Sequence, residues 1–393
     1  MPKYKTSKRS SSRVIQLSYE EKRGVNPLEN QRLKFEAFVN NLSQQATAKQ
    51  PDLNTLKIFT PKFSVSDTCL KKLASPLHAS AQNAFEGVKE IYFSGGGGAG
   101  CAYPSAVKCA VDSGLDLSKV EVVCGASVGA IVALGIGIDA EADELIQILS
   151  NMPTTSFQDW NIWTIYKFLT TWGLCRGQAM PNYFKALLKE KTGIDDPTFK
   201  ELYEAGYKKE LRIVTTNISK GESKVFSYKS TPDEKVADIV SLSCAIPFVF
   251  PPKRIMNEEG SFDLHTDGAI LRNFPWKAGG AQHCTDKERL GFAIANSITS
   301  TAMHTKKNGN SITNFREYMR YLFRLIVFEK TLMLTEEEMQ RTVVIQVNYN
   351  PFDFSPSPPL LKYLEESSDA AVKAFTEKTN CEPSHKKQKV RCP

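Results

Sequence analysis

The stretch EIYFSGGGGAGCAYPSAVKCAV, residues 90–111, constrains this 393-residue chain more than any other: a short apolar run enters four consecutive glycines and leaves as a small-residue helix. Four residues without side chains between two ordered elements expose backbone amides to whatever sits above them. Three kinds of site use such a cradle. Gly95, Gly97 and Gly100 satisfy G-x-G-x-x-G between a strand and a helix, as a dinucleotide-binding turn requires. That site also needs an acid at the end of the second strand for the ribose hydroxyls, and here KVEVVCGAS ends in Cys124 and Gly125. A P-loop closes on Gly-Lys-Ser/Thr, whereas this loop closes on Gly100, Cys101 and Ala102. The remaining use is a set of amides facing a negative charge that develops during a reaction.

The next strand supplies a source for that charge. GASVG, residues 125–129, is a G-x-S-x-G nucleophile elbow between an apolar strand and the apolar helix AIVALGIGI. Gly125 and Gly129 permit a sharp bend, and Ser127 stands at its apex. A buried glycine-rich turn is the competing reading of the same five residues. A serine nucleophile needs a base. Downstream, HTDGAILRNFP places Asp267 before Gly268 at a strand-to-turn junction, after the proline-punctuated CAIPFVFPP.

Taken in order, S-G-G-G-G-x-G, G-A-S-V-G, S-x-A-I-P-x-x-F-P-P and D-G-A-x-x-x-N-F-P resemble the motifs of the patatin-like phospholipase family over about residues 88–300. The resemblance implies a patatin-like three-layer α/β/α fold with a mainly parallel central sheet. It implies a Ser–Asp dyad acting on lipid acyl esters, of phospholipase A or lysophospholipase type, with Ser127 as nucleophile and Asp267 as base. Gly96, Gly97 and Gly98 match the oxyanion-hole glycines, and the Val128 amide completes the hole from the elbow. No metal or organic cofactor is expected. Two positions depart from the family pattern. Ala99 stands where Lys or Arg is frequent, and Ala269 where glycine is commoner. The first removes a positive charge usually near the oxyanion and bears on rate and head-group preference.

An aspartate with an ordinary pKa of about 3.9 is a poor base at neutral pH, so its site should be desolvated and apolar-walled. Activity should then persist below the pKa of an ordinary histidine, unless the shift is very large. Two alternatives remain. One is an α/β-hydrolase-type triad, because His283 or His304 follows Ser127 and Asp267 in the required order; His265 reads as a surface or packing residue. The other is a non-enzymatic lipid-binding protein on the same fold.

The rest of the chain frames these motifs. Strand-like runs VKEIYF, VEVVC, LRIVTT, GFAIA and VVIQV alternate with helical segments, which favours a mostly parallel sheet covered by helices. Residues 1–86 read as a basic tail and accessory extension, 87–300 as the catalytic core, 301–365 as a helix and strand completing it, and 366–393 as a terminal helix with a basic tail. FREYMRYLFRLIVFEKTLMLTEEEMQ, residues 315–340, reads as one long amphipathic helix, followed by a proline-broken NPFDFSPSPPL. The basic N-terminus lacks the apolar region of a secretory signal, and the nine cysteines are scattered without a C-x-x-C pair, as in a reducing, cytosol-like compartment. Cys101 and Cys124 read as small core residues. A net charge of +7 suits a peripheral approach to an anionic lipid surface, and no basic, aromatic-interleaved module argues for nucleic acid. FQDWNIWTIYKFLTTWGLC, residues 157–175, carries Trp160, Trp163 and Trp172, placed either at a membrane interface or in the core. An activating protein partner stays open.

Overall fold

A computed structural model describes residues 84–150, 152, 157, 168, 170–280, 284–296, 334–349 and 357–381. Trp160, Trp163, His283, His304, both basic tails and nearly all of the N-terminal extension lie outside these residues. In chain order the elements are β1 (Glu90–Phe93), a 3-10 turn (Gly97–Ala102), α1 (Tyr103–Asp112), β2 (Val122–Ala126), α2 (Val128–Gly137) and α3 (Ala142–Ser150). Then come α4 (Ala179–Thr192), α5 (Phe199–Glu204), β3 (Glu210–Asn217), β4 (Glu222–Phe226), α6 (Val236–Ser243), β5 (Lys253–Met256), β6 (Phe262–Thr266) and α7 (Ala269–Arg272). The described chain closes with β7 (Arg289–Asn296), α8 (Glu336–Gln340), β8 (Thr342–Val347) and α9 (Pro358–Cys381).

The strands form one sheet in the order β5-β6-β3-β2-β1-β7-β8, with β4 on β3. The five central strands β3-β2-β1-β7-β8 are parallel, as the alternating sequence pattern requires, and β4, β5 and β6 join antiparallel on one side. Alternation along the strands separates two faces. Ile91, Phe93, Val123, Leu211 and Ile213 point into the large core beneath the helices, while Tyr92, Cys124, Ala126 and Val214 point into a smaller cluster closed by Trp276 and Ala278. Helix α2 is buried along its whole length, which explains why its sequence is apolar all round rather than striped.

The direction of chain progression reverses between β1 and β7: β2 and β3 are added on one side of β1, β7 and β8 on the other. Open α/β sheets place ligands at such a switch, beyond the carboxyl ends of the strands. Here the glycine loop leaves β1 at that end.

Three edges of the sequence reading change. The expected helix over 315–340 is not continuous, because Thr335 is extended and caps a separate helix, accepting the Glu338 amide at 3.2 Å while Glu338 accepts the Thr335 amide. The prolines near 358 do not break structure; they open α9, where the missing amide hydrogens have no intrahelical partner to lose. That helix crosses the boundary drawn at 366 and joins the main core through Leu364, Val372 and Phe375, with Ser368 Oγ donating to the Ala102 carbonyl at 2.8 Å. Among the described residues no helix is long and apolar enough to cross a membrane.

Candidate active site

Ser127 follows the last residue of β2 in a conformation that residues with side chains rarely adopt, φ 54° and ψ −128°, and α2 begins at the next residue. The two glycines around it are dictated by contact. A Cβ on Gly125 would stand 2.1 Å from the Gly129 carbonyl oxygen, and one on Gly129 would stand 2.6 Å from the carbonyl oxygens of Phe93 and Ser94. Those neighbours are backbone and cannot swing aside, so the bend exists only with glycine on both sides.

Asp267 reaches this elbow through the antiparallel part of the sheet. On β3, Ile213 and Val214 pair with β2 on one edge and β4 on the other; beyond them, Thr216 pairs with both β4 and β6. Strand β6 therefore takes the edge that β2 vacates at the elbow and runs towards it, so its end delivers Asp267 to Ser127. Ser127 Oγ donates to Asp267 Oδ2 at 3.0 Å, and the Ala269 amide donates to Oδ1 at 2.8 Å. Asp267 is 2% exposed, and burial pushes its carboxyl up to about 7 against the opposing pull of the Ala269 and Ser127 hydrogen bonds. Half-ionised at neutral pH, it has the proton affinity that a general base needs. A shift of this size removes the expected contrast in pH profile with a histidine.

The glycine loop packs onto the same point. Gly95 donates to the Asn273 carbonyl at 2.9 Å, and a Cβ on Gly95 would lie 3.3 Å from Ser127 Cβ. Gly97 has φ +57°, and the 3-10 turn starting there leaves its first amides ahead of any intrahelical acceptor. Val128 is likewise the first residue of α2. Gly100 has no room for a side chain because Val128 occupies that space. The glycine loop thus packs against the elbow at two points, Gly95 on Ser127 and Gly100 on Val128. Ala99 is fully buried, so the loop carries no cation there.

Other residues singled out in the sequence fall elsewhere. His265 is buried, bonds Thr215 Oγ1 through Nδ1 at 2.9 Å and is held down to about 4 by burial and the nearby Lys224 charge. It is a packing residue of β6. Cys124 is buried as expected, and Cys101 is half-buried. Trp172 is exposed. The residues that sequence reasoning left without a role are Ser243 and Cys244, which contact the Ser127 backbone; the S-x-A-I-P motif contained them, but nothing local in it points to the elbow.

A family model described as patatin-like phospholipase matches residues 91–278. Uncharacterized protein R571 of Acanthamoeba polyphaga mimivirus is 26% identical over 289 residues, which cover 73% of this chain and 93% of that protein. Probable lipid hydrolase 463L of Invertebrate iridescent virus 6 is 25% identical over 163 residues, 41% of this chain and 53% of that protein. Among solved structures, VipD from Legionella pneumophila aligns at 18% identity and a TM-score of 0.48, covering 74% of this chain and 67% of that one. The matched span holds the glycine loop, the elbow and the aspartate turn, and residues 91–278 of this chain form a patatin-like phospholipase domain.

Proposed function

We propose that this protein hydrolyses fatty-acyl esters of phospholipids, as a phospholipase A or lysophospholipase, with Ser127 as nucleophile and Asp267 as base. The observation that carries the reading is the 3.0 Å bond from the elbow hydroxyl to a buried carboxylate. Asp267 Oδ2 takes the serine proton as Oγ attacks the ester carbonyl carbon, and the carbonyl electrons move onto oxygen. Amides of Gly96, Gly97, Gly98 and Val128 are the donors for that oxyanion. Collapse expels the alcohol half of the lipid, which receives the proton from Asp267, and leaves an acyl-serine. Water, deprotonated by the same carboxylate, then attacks the acyl carbon; Ser127 regains a proton and the fatty acid departs. No step calls on a metal or an organic cofactor.

Lipid mass spectrometry of mixed phospholipid vesicles tests this directly. Wild type should release free fatty acid and the matching lysolipid or deacylated product, and Ser127→Ala should release neither. A wild type that cleaves soluble esters but no vesicle lipid would move the substrate out of the phospholipid class. Gly97→Ala tests the loop separately. Alanine is strained at φ +57°, and losing or misplacing one oxyanion donor costs about 2.7–4 kcal/mol, or ~10²–10³ in kcat. Equal turnover of the two proteins would assign the loop another purpose.

The lipid surface itself meets an exposed apolar rim. Trp172, Leu174 and Phe248 are 48%, 39% and 44% exposed, and the Leu174 amide donates to the Phe248 carbonyl at 2.9 Å. Trp172 and Phe248 both hold positive φ, 58° and 65°, unusual for large rings, where the two loops cross. Phe248 lies three residues beyond Ala245, whose carbonyl accepts the Asp267 amide, so the rim is anchored to the dyad. Changing Trp172 and Phe248 together to Ser should lower binding to anionic phospholipid vesicles and vesicle hydrolysis several-fold more than hydrolysis of a soluble ester. Equal loss of both activities with a lowered Tm would make these rings packing residues.

A further inference from the structure

We propose that Ser243 is a positioning residue that sets the Ser127 backbone in register with Asp267, an inference that rests on the dyad reading above. The dyad partners lie 140 residues apart in sequence. Strands β2 and β6 both pair with β3 and not with each other, so no rung of the sheet fixes the gap between their ends. The segment Ser243–Ala245 spans that gap. Ser243 is fully buried at the end of α6, and its Oγ accepts the Ser127 amide at 2.9 Å while donating to the Val214 carbonyl of β3 at 2.6 Å. Cys244 Sγ donates to the Ser127 carbonyl at 3.1 Å. Towards the other partner, the Ser243 carbonyl accepts the Gly268 amide and the Ala245 carbonyl accepts the Asp267 amide, each at 3.1 Å, with Thr266 Oγ1 adding a bond to Ala245 at 2.9 Å.

Three consecutive residues thereby hold the nucleophile from above and below and the base from its amide side. Ser243 is the member whose side chain does this work. Its hydroxyl both accepts and donates, so alanine at this fully buried position leaves the Ser127 amide and the Val214 carbonyl without it. A strained conformation persists only where its surroundings over-determine it, and the Ser127 amide is one of the points at which the elbow is pinned. The space around Ser243 is filled as well: a Cβ on Gly268 would stand 3.2 Å from its Oγ. The hydroxyl is therefore held in one place.

Two measurements on wild type, Ser243→Ala and Ser243→Cys test the inference. Residue-resolved amide exchange reads the Ser127 N–H without any chemistry, and should be at least ~10-fold faster in the alanine variant. Turnover of p-nitrophenyl butyrate per fluorophosphonate-titrated site should fall about 10- to 100-fold in kcat with KM changed less than ~2-fold, as misplacement of a reacting group does. Cysteine, a weaker donor and acceptor of similar size, should fall between. Unchanged exchange at Ser127 overturns the inference, and so does a wild-type kcat per titrated site, since that outcome means only the folded fraction changed. Should the alanine variant not fold, the cysteine variant decides by the same two readouts. A wild type that neither labels nor turns over sinks Ser127 as nucleophile, while the exchange result still reports whether Ser243 holds its amide.

Discussion

Ser127→Ala is expected to abolish ester hydrolysis and leave a folded protein. The elbow geometry is set by Gly125 and Gly129, by the bonds that the Ser243 and Cys244 side chains make to the Ser127 backbone, and by the start of α2, none of which uses the Ser127 side chain. Alanine tolerates the positive φ no worse than serine, and among the described residues Oγ makes a single hydrogen bond, to Asp267. Losing that donor removes one of the two hydrogen bonds that favour the ionised carboxylate, so Asp267 should be more fully protonated in the variant and correspondingly less costly to bury. The effect on Tm should be a few degrees at most. The effect on rate should be very large, because a nucleophile that acts as part of a unit takes nearly all of the unit's catalysis with it, on the order of 10⁴-fold or more. Turnover of p-nitrophenyl butyrate and loss of fluorophosphonate labelling measure it. Activity above a few per cent of wild type in a contamination-controlled preparation would place the nucleophile elsewhere.

The parts of this site that could be read from sequence are those whose chemistry is local. A strand running into glycines, a serine between two glycines, and an aspartate before a glycine each declare a backbone shape within five or six residues. Their assembly is not local. Asp267 reaches Ser127 because β6 takes over the edge of β3 that β2 leaves, and that exchange is decided by β3–β6 pairing across about fifty positions, with no signature in β6 itself. Ser243 lies within a motif that declares no role for it, since its value comes from an amide 116 residues away. Sequence and structure differ where two local signals compete. Apolar periodicity runs through Thr335 although Thr335 and Glu338 spell a capping box, and the proline pair at 358 signals a break although prolines are at home in a first helical turn.

Asp267→Asn separates the dyad from a histidine triad more sharply than a pH profile does. With its carboxyl pushed up to about 7, Asp267 titrates where an unperturbed histidine does, so an acidic limb with a midpoint near 7 is expected from either base. Activity should fall as the pH drops through that midpoint because the base is then protonated. Stability moves in the opposite direction. The folded pKa lies above the value of 3.8 for a free carboxyl, so the folded state binds the extra proton between about pH 4 and 7, and the associated stability is present at low pH and lost as pH rises through 7. Keeping the buried carboxyl ionised above that range costs about 4 kcal/mol at full burial, by the same difference in pKa. Asparagine never ionises. Asp267→Asn should therefore lose hydrolysis entirely while gaining Tm over wild type at pH 8, and that gain should shrink towards pH 5. His265→Gln, His283→Gln and His304→Gln should each retain most hydrolysis, with His265→Gln losing some stability because its ring bonds Thr215 in the buried end of β6. Loss of turnover in any one of these histidine variants that stays folded, or appreciable turnover in Asp267→Asn, would replace the dyad with a base other than Asp267.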